Sequence, residues 1–199
     1  MGKRLSRSRV LLLISAVVLF GLLQGYVRGL VAQGMKDWNR DLSQAQGAIA
    51  RSGSPYDRFV ALTHAQIPAL ECGQPDLARA YAGEALSLAP QFRQDWNYGN
   101  AIHNGHVVLG RLALARGDVE SACRELLLAG QTPGSPQLDS FGPNMSLAHE
   151  LLQRGQRDAV CRYFDECRAF WRSDFGALKR WRILARMHLP PDFGANLVF

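Results

Sequence analysis

The sequence carries none of the short patterns that mark a catalytic or cofactor site. There is no G-x-S-x-G elbow, no Walker loop, no H-E-x-x-H helix and no glycine-rich dinucleotide fingerprint. His149-Glu150 lacks the second histidine that a zinc helix needs four residues on. Cysteine is scarce: Cys72, Cys123, Cys161 and Cys167 are the four, with no C-x-x-C among them, which argues against thioredoxin-like exchange and a zinc ribbon. An even count outside the cytoplasm permits disulfides in three full pairings. Cys161 and Cys167 cannot bond to each other, because six residues along one predicted helix turn their side chains about 120° apart.

A large charge excess is also missing from most of the chain. The formal net charge is +6, from 23 basic and 17 acidic residues. Lys3, Arg4, Arg7 and Arg9 come before any acid, which leaves 19 bases against 17 acids from Arg28 onward. The basic balance therefore belongs to the terminus and is a poor footprint for nucleic acid. No nucleic-acid partner, cofactor or enzymatic activity is expected.

What is present first is an apolar run of 14 residues, Val10–Leu23, interrupted by Ser15, which reaches 18 with Gln24, Gly25, Tyr26 and Val27. A helix crosses a bilayer with about 20 mostly apolar residues, in a range of about 17–25. The best cleavage candidate, Leu30-Val31-Ala32, has a bulky leucine where a small residue is wanted. An uncleaved anchor is expected. The bases ahead of the run keep the N-terminus cytoplasmic and send the remainder outward, in a bacterium from the inner membrane into the periplasm. The expected layout is a basic segment 1–9, a membrane span 10–27, a juxtamembrane helix or linker 28–54, helical repeats 55–172 and a capping helix with tail 173–199. In the juxtamembrane part, Trp38, Leu42, Ala45 and Ile49 fall at helical spacing, as if to extend the membrane helix. Trp38 is placed either at the headgroups or in simple packing.

A repeat then emerges around three glycines, Gly73, Gly117 and Gly155. Eight residues before them stand Ala65, Leu109 and Leu147; seven before, Gln66, Gly110 and Ala148. Five after stand Ala78, Ala122 and Val160; nine after, Ala82, Leu126 and Phe164; twelve after, Ala85, Ala129 and Cys167. This is the pattern of a helix hairpin, with glycine permitting the tight turn and small residues letting the helices approach. Such hairpins bury their apolar faces only by stacking.

The pattern resembles the tetratricopeptide repeat over about Pro55 to Arg172, on Leu109-Gly110, Gly117-Asp118, Ala122, Leu126 and Ala129, with EALSLAP (Glu84 to Pro90) closing the first unit. The strings NYGNAIHNG, GSPQLDSFGPNM, RAFW and PDFGANL resemble bacterial membrane-anchored proteins of this type without an assigned activity. The implied architecture is an all-α, TPR-like solenoid of about three hairpins with a C-terminal cap, preceded by one transmembrane helix. The glycines are 44 and 38 residues apart, against a family period of 34. The additions fall at QFRQDWNYGN, expected to lengthen the following helix, and at AGQTPGSPQLDSFGPN, expected as a structured connector. Pro143 is expected in the first turn of the next helix, and Pro68 is expected to kink the first.

The resemblance also implies a concave groove lined by the first helix of each pair. Carried over, its positions are Val60, Thr63, Ile67 and Leu70; Asn104, Val107, Arg111 and Leu114; and Gly142, Met145, His149 and Leu152. Asn104, Val107, Arg111, Met145 and His149 are the leading contacts for a protein or peptide partner, with the Arg111 fork suited to a carboxylate or a peptide backbone. His103 and His106 fall on the face toward the partner helix, where hydrogen-bonded packing outweighs a metal pair. The competing reading is an enzyme or metal site using His103, His106 or His149. A closing helix is expected over Asp174 to Leu189, with Leu178, Trp181, Ala185 and His188 on one stripe and Lys179, Arg182 and Arg186 on another. That basic stripe is solvated or touches anionic headgroups or an acidic partner. The apolar tail, with Phe193, Leu197 and Phe199, is expected to lie across the last hairpin.

Overall fold

The computed structural model describes residues 36–198. The expected basic segment, the membrane span and Phe199 lie outside the described residues, and no helix within them is long and apolar enough to cross a membrane. Nine α-helices, and no strand, are found among the described residues: α1 Trp38–Ala50, α2 Pro55–Glu71, α3 Pro75–Leu88, α4 Asn97–Ala115, α5 Val119–Gly130, α6 Pro136–Phe141, α7 Ser146–Gln153, α8 Arg157–Cys167 and α9 Ala177–Arg186.

Local chemistry starts these helices where the sequence offers a cap. Ser54, Asp118 and Ser135 accept hydrogen bonds from the backbone N–H three residues on, and Pro55, Pro75 and Pro136 occupy first-turn positions that need no donor. The three marker glycines end α2, α4 and α7 by one device. Gly73, Gly117 and Gly155 take φ of 69°, 82° and 77°. Each donates its N–H three residues back, and the next residue donates five back, as in Gly117 to Leu114 O at 3.0 Å and Asp118 to Ala113 O at 3.0 Å. This is the Schellman closure, and the left-handed residue it requires is where glycine has no Cβ penalty.

The resulting hairpins α2–α3, α4–α5 and α7–α8 stack in chain order. α2 lies against α4 and α4 against α7, α3 packs on α4, and α5 packs on α7 and α8; α9 closes on α8 and α1 on α2. Every position that the repeat aligned around the three exposed glycines is buried, except the half-buried Leu109. Gly110 is required by contact, since a Cβ there would lie 2.3 Å from a Leu147 methyl. The largest core cluster joins Leu126, Leu147, Leu151, Phe164, Trp181 and Phe193, and smaller clusters lie around Leu42 and Ile67 and around Phe59.

Several expectations change. α1 does not continue a helix from upstream: residues 36 and 37 are outside helix, and Asp37 caps α1 by accepting from Arg40 N–H at 3.1 Å. Leu42 and Ala45 fold onto the first hairpin, with Trp38 packed against the same cluster. QFRQDW does not lengthen α4. Ala89–Phe92 forms a 3-10 turn opened by Pro90, and Asp95 receives Asn97 N–H at 2.8 Å, so the helix begins at Asn97. Pro143 stays outside α7, because Asn144 Oδ1 takes the Ser146 N–H at 2.9 Å and delays the helix. Pro68 does stand inside α2, as expected, and the helix continues through it to Glu71. α9 is shorter than expected, since Asp174 caps from outside and His188 turns left-handed at φ 60°, leaving the buried stripe. The tail crosses the last hairpin as expected: Phe193 packs 4.9 Å from the Trp181 ring, and Asn196 donates to Phe141 O and Pro143 O at 3.0 and 3.1 Å.

Candidate functional site

A groove of about 960 Å³ runs between α1 and α4. Its first wall is α1, with Trp38, Ala45 and Ala48. Its floor is α2, with Val60, Ile67 and Pro68. Its far wall is the N-terminal half of α4 together with α6, its flanking loops and Val198. That far wall depends on Gly99. A Cβ there would lie 1.8 Å from the Gly134 carbonyl, so only glycine lets α4 touch the connector. Thr132 Oγ1 donates to Gly99 O at 2.7 Å and locks the approach. Asp139 receives Arg172 N–H at 2.8 Å, tying α6 to the end of the third hairpin.

The far wall is rich in carboxamides. Asn97, Asn100 and Asn104 lie at helical spacing on one side of α4, and Gln137 and Asn144 come from the connector. Asn100 is spent, donating to Gln137 Oε1 and accepting from Ser135 Oγ. Asn97 is not: it is 2 % exposed, and its Oδ1 has no hydrogen-bond partner among the described residues. A buried amide oxygen without a donor costs about 1–3 kcal/mol relative to a satisfied one, so this atom is an unspent acceptor in the groove wall. Asn104 accepts from His103 Nδ1 at 3.0 Å, and its NH2 has no partner among the described residues.

His103 itself is inside the fold. It is fully buried, and its Nε2 faces the Tyr163 hydroxyl at 2.9 Å. Burial pushes its pKa down to about 4, with the Asn104 hydrogen bond opposing and His106 assisting. The ring is therefore neutral, with Nδ1–H donating to Asn104 and Nε2 accepting from Tyr163. His106 pairs its Nδ1 with Glu125 Oε2 at 2.7 Å on the partner helix α5. Both histidines thus carry hydrogen-bonded packing contacts, and no cluster of three or more metal-capable side chains is found among the described residues. The four cysteines are all unbridged. His64, on the groove floor, is open to solvent yet crowded by protein; desolvation and then the Lys36 charge hold its pKa below the ordinary value.

Of the five groove contacts expected, Asn104 alone lines this cavity. Val107 and Met145 are buried in the main core, because α4 and α7 press that face against their neighbours. Arg111 is spent: its fork reaches Glu150 Oε1 at 2.8 Å and the Glu71 carboxylate, joining the first helices of all three hairpins. Desolvation alone would lower its pKa, but the two carboxylates outweigh it and the net shift is upward. His149 lies beside Gln153 at 2.9 Å and against the Phe193 ring, lining a separate pocket of about 160 Å³. Val60, Thr63, Ile67 and Gly142 do line the groove. Asn97, Asn100, Gln137 and the α1 wall are additions; the i, i+3, i+7 spacing of Asn97, Asn100 and Asn104 is the sequence signal for the first two.

No protein-family model, curated protein or solved structure matches the chain.

Proposed function

We propose that the chain is a non-catalytic binding module of TPR-like architecture, anchored by its N-terminal apolar run in a bacterial inner membrane. The helical domain faces the periplasm and holds a protein or peptide segment in the groove between α1 and α4. The observation that carries this reading is a groove of mixed lining, with carboxamides that keep unspent groups on α4 and the connector, and Trp38, Ala48, Val60 and Pro68 set among Asp41, Asp57 and His64 on α1 and α2. A peptide backbone alternates N–H and C=O, and a carboxamide offers both partners from one side chain. Asn97 Oδ1 calls for a donor and the Asn104 NH2 for an acceptor, while the half-buried Trp38, Ala48 and Val60 offer surface for apolar side chains. The stacked hairpins and their shared turn geometry support the repeat reading.

The test is photocrosslinking in intact cells from a reactive residue at Ala48, compared with one at Arg180 on the opposite end of the chain. A discrete adduct at Ala48, weakened by Asn97→Ala with Asn104→Ala and retained in Arg111→Gln, is the expected result. Identical adducts from both sites overturn the groove as the binding surface. An alkaline phosphatase fusion after Phe199 checks the compartment: an active fusion supports a periplasmic domain, and an inactive one refutes it.

A further inference from the structure

We infer that the outward face of α9 is a docking surface for an anionic lipid bilayer. Residues 175–189 hold four of the eight exposed large apolar side chains among the described residues: Phe175 at 95 %, Met187 at 62 %, Ile183 at 49 % and Leu189 at 47 % exposure. The same fifteen residues hold Lys179, Arg180, Arg182 and Arg186, and no acid. Both kinds of side chain share one surface because Leu178, Trp181 and Ala185 fix the opposite stripe in the core. Lys179, Arg180, Ile183, Arg186 and Met187 are all left exposed.

The bases are available. Arg182 bonds to Asp165 at 2.7 Å, whereas Lys179, Arg180 and Arg186 have no ion pair among the described residues. The ends of the helix present the apolar groups. Before α9, Asp174 accepts from Gly176 and Leu178 N–H and holds the turn in which Phe175 stands clear of the protein. After it, Leu189 N–H closes on Leu184 O at 2.9 Å, which places Leu189 just past the last turn. Leu189 turns back to line the small pocket beside His149, whereas Phe175, Ile183 and Met187 stand singly among bases, unlike the clustered anchors of a protein interface. A bilayer surface takes both, with apolar groups entering the headgroup and acyl boundary to about 5–10 Å and bases meeting lipid phosphates. The charge complementarity selects an anionic membrane. This surface is independent of the groove and of the proposed anchor.

The test uses the full chain reconstituted in vesicles of phosphatidylcholine alone or mixed with phosphatidylglycerol. A water-soluble amine-acylating reagent is applied, and the modified fraction of Lys179 is read by mass spectrometry as a ratio to that of the same chain in neutral detergent micelles. Each base near an anionic surface contributes about fivefold in partitioning, so this ratio should fall at least about fivefold in the anionic vesicles. It should recover in about 0.5 M salt, where screening is strong, and in Arg180→Glu with Arg186→Glu, whose helical circular dichroism checks the fold. The salt arm keeps the test decisive if that variant misfolds. Equal ratios in the two lipids, a fall that is the same in both, or protection that survives both salt and charge reversal would each overturn the proposal. So would protection that appears only when an acidic protein is added.

Discussion

The first and third hairpins close on the same turn and pack by different means. In α2–α3 the buried seam is made of alanines: Ala65, Ala69, Ala78, Ala82, Ala85 and Ala89 are all fully enclosed. In α7–α8 the equivalent seam carries Leu147, Leu151, Val160, Phe164 and Cys167, and four rings, those of Phe164, Trp171, Trp181 and Phe193, meet within 6.1 Å along it. An alanine seam brings helices close but removes little apolar surface from water per residue. The first hairpin gains its support from outside its own seam, through Leu42 of α1, the stacked Phe59 and Phe92 rings at 5.0 Å, and the Arg58–Glu84 pair. The groove opens on that alanine-packed side, while the aromatic end is closed by α9 and the tail. Local opening concentrates where buried apolar contacts are fewest, so the proposed binding groove lies in the more readily opened half.

Removing a large side chain from the aromatic end should have the largest effect. Phe164→Ala leaves a cavity among Trp181, Phe193 and Tyr163, and a cost of about 3–5 kcal/mol is expected by urea unfolding. A cost near 1 kcal/mol would mean that the tail collapses into the space and that the contrast between the two ends is smaller than the packing suggests. His103 links the two halves, reaching from α4 to Tyr163 of the third hairpin. Its folded pKa of about 4 lies below the ordinary 6.5. The unfolded chain therefore binds the proton more readily, and stability is lost as pH falls from 6.5 toward 4. About 2.5 units correspond to about 3 kcal/mol. His103→Gln should remove that part of the slope of unfolding free energy against pH, and parallel slopes for the two proteins would refute a buried neutral ring.

The hairpins were legible because their signals are local. A glycine that must go left-handed and small or large residues at fixed offsets depend on neighbours within one turn of helix, as at Gly117 with Ala122 and Leu126. The groove was not, because its walls meet only in the fold. Arg111 looked like a free binding fork, and its two carboxylates stand 40 and 39 residues away on other hairpins. Met145 and Val107 fall where the resemblance implies groove contacts, yet the delayed start of α7 and the close packing of α4 turn them into the core. The α1 wall and the connector reach α4 through Gly99 and Gly134, a backbone contact that composition does not announce. Asn97, Asn100 and Asn104 could have been grouped from spacing alone, but nothing in the sequence marks Asn97 Oδ1 as the atom left without a donor.

The alanine seam makes its own prediction, opposite in kind to the aromatic one. Ala82→Leu inserts volume where two helices touch with no space between them, and overpacking should cost about 1–3 kcal/mol. If the substitution stabilises the protein instead, the first seam holds slack and the helices there are not in close contact. The turn glycines supply the smallest and most even effect. A Cβ at Gly73 or Gly117 would meet nothing within 4 Å, and at Gly155 its nearest neighbour would be the Arg157 side chain at 3.7 Å. Substitution by alanine then costs only the left-handed backbone, about 1–2 kcal/mol. Gly73→Ala, Gly117→Ala and Gly155→Ala should lower stability by the same amount within a few tenths of a kcal/mol, although they sit in seams of very different composition. Unequal losses would show that the three turns carry different loads, and that the difference between the two ends begins in the backbone rather than in the side chains packed against it.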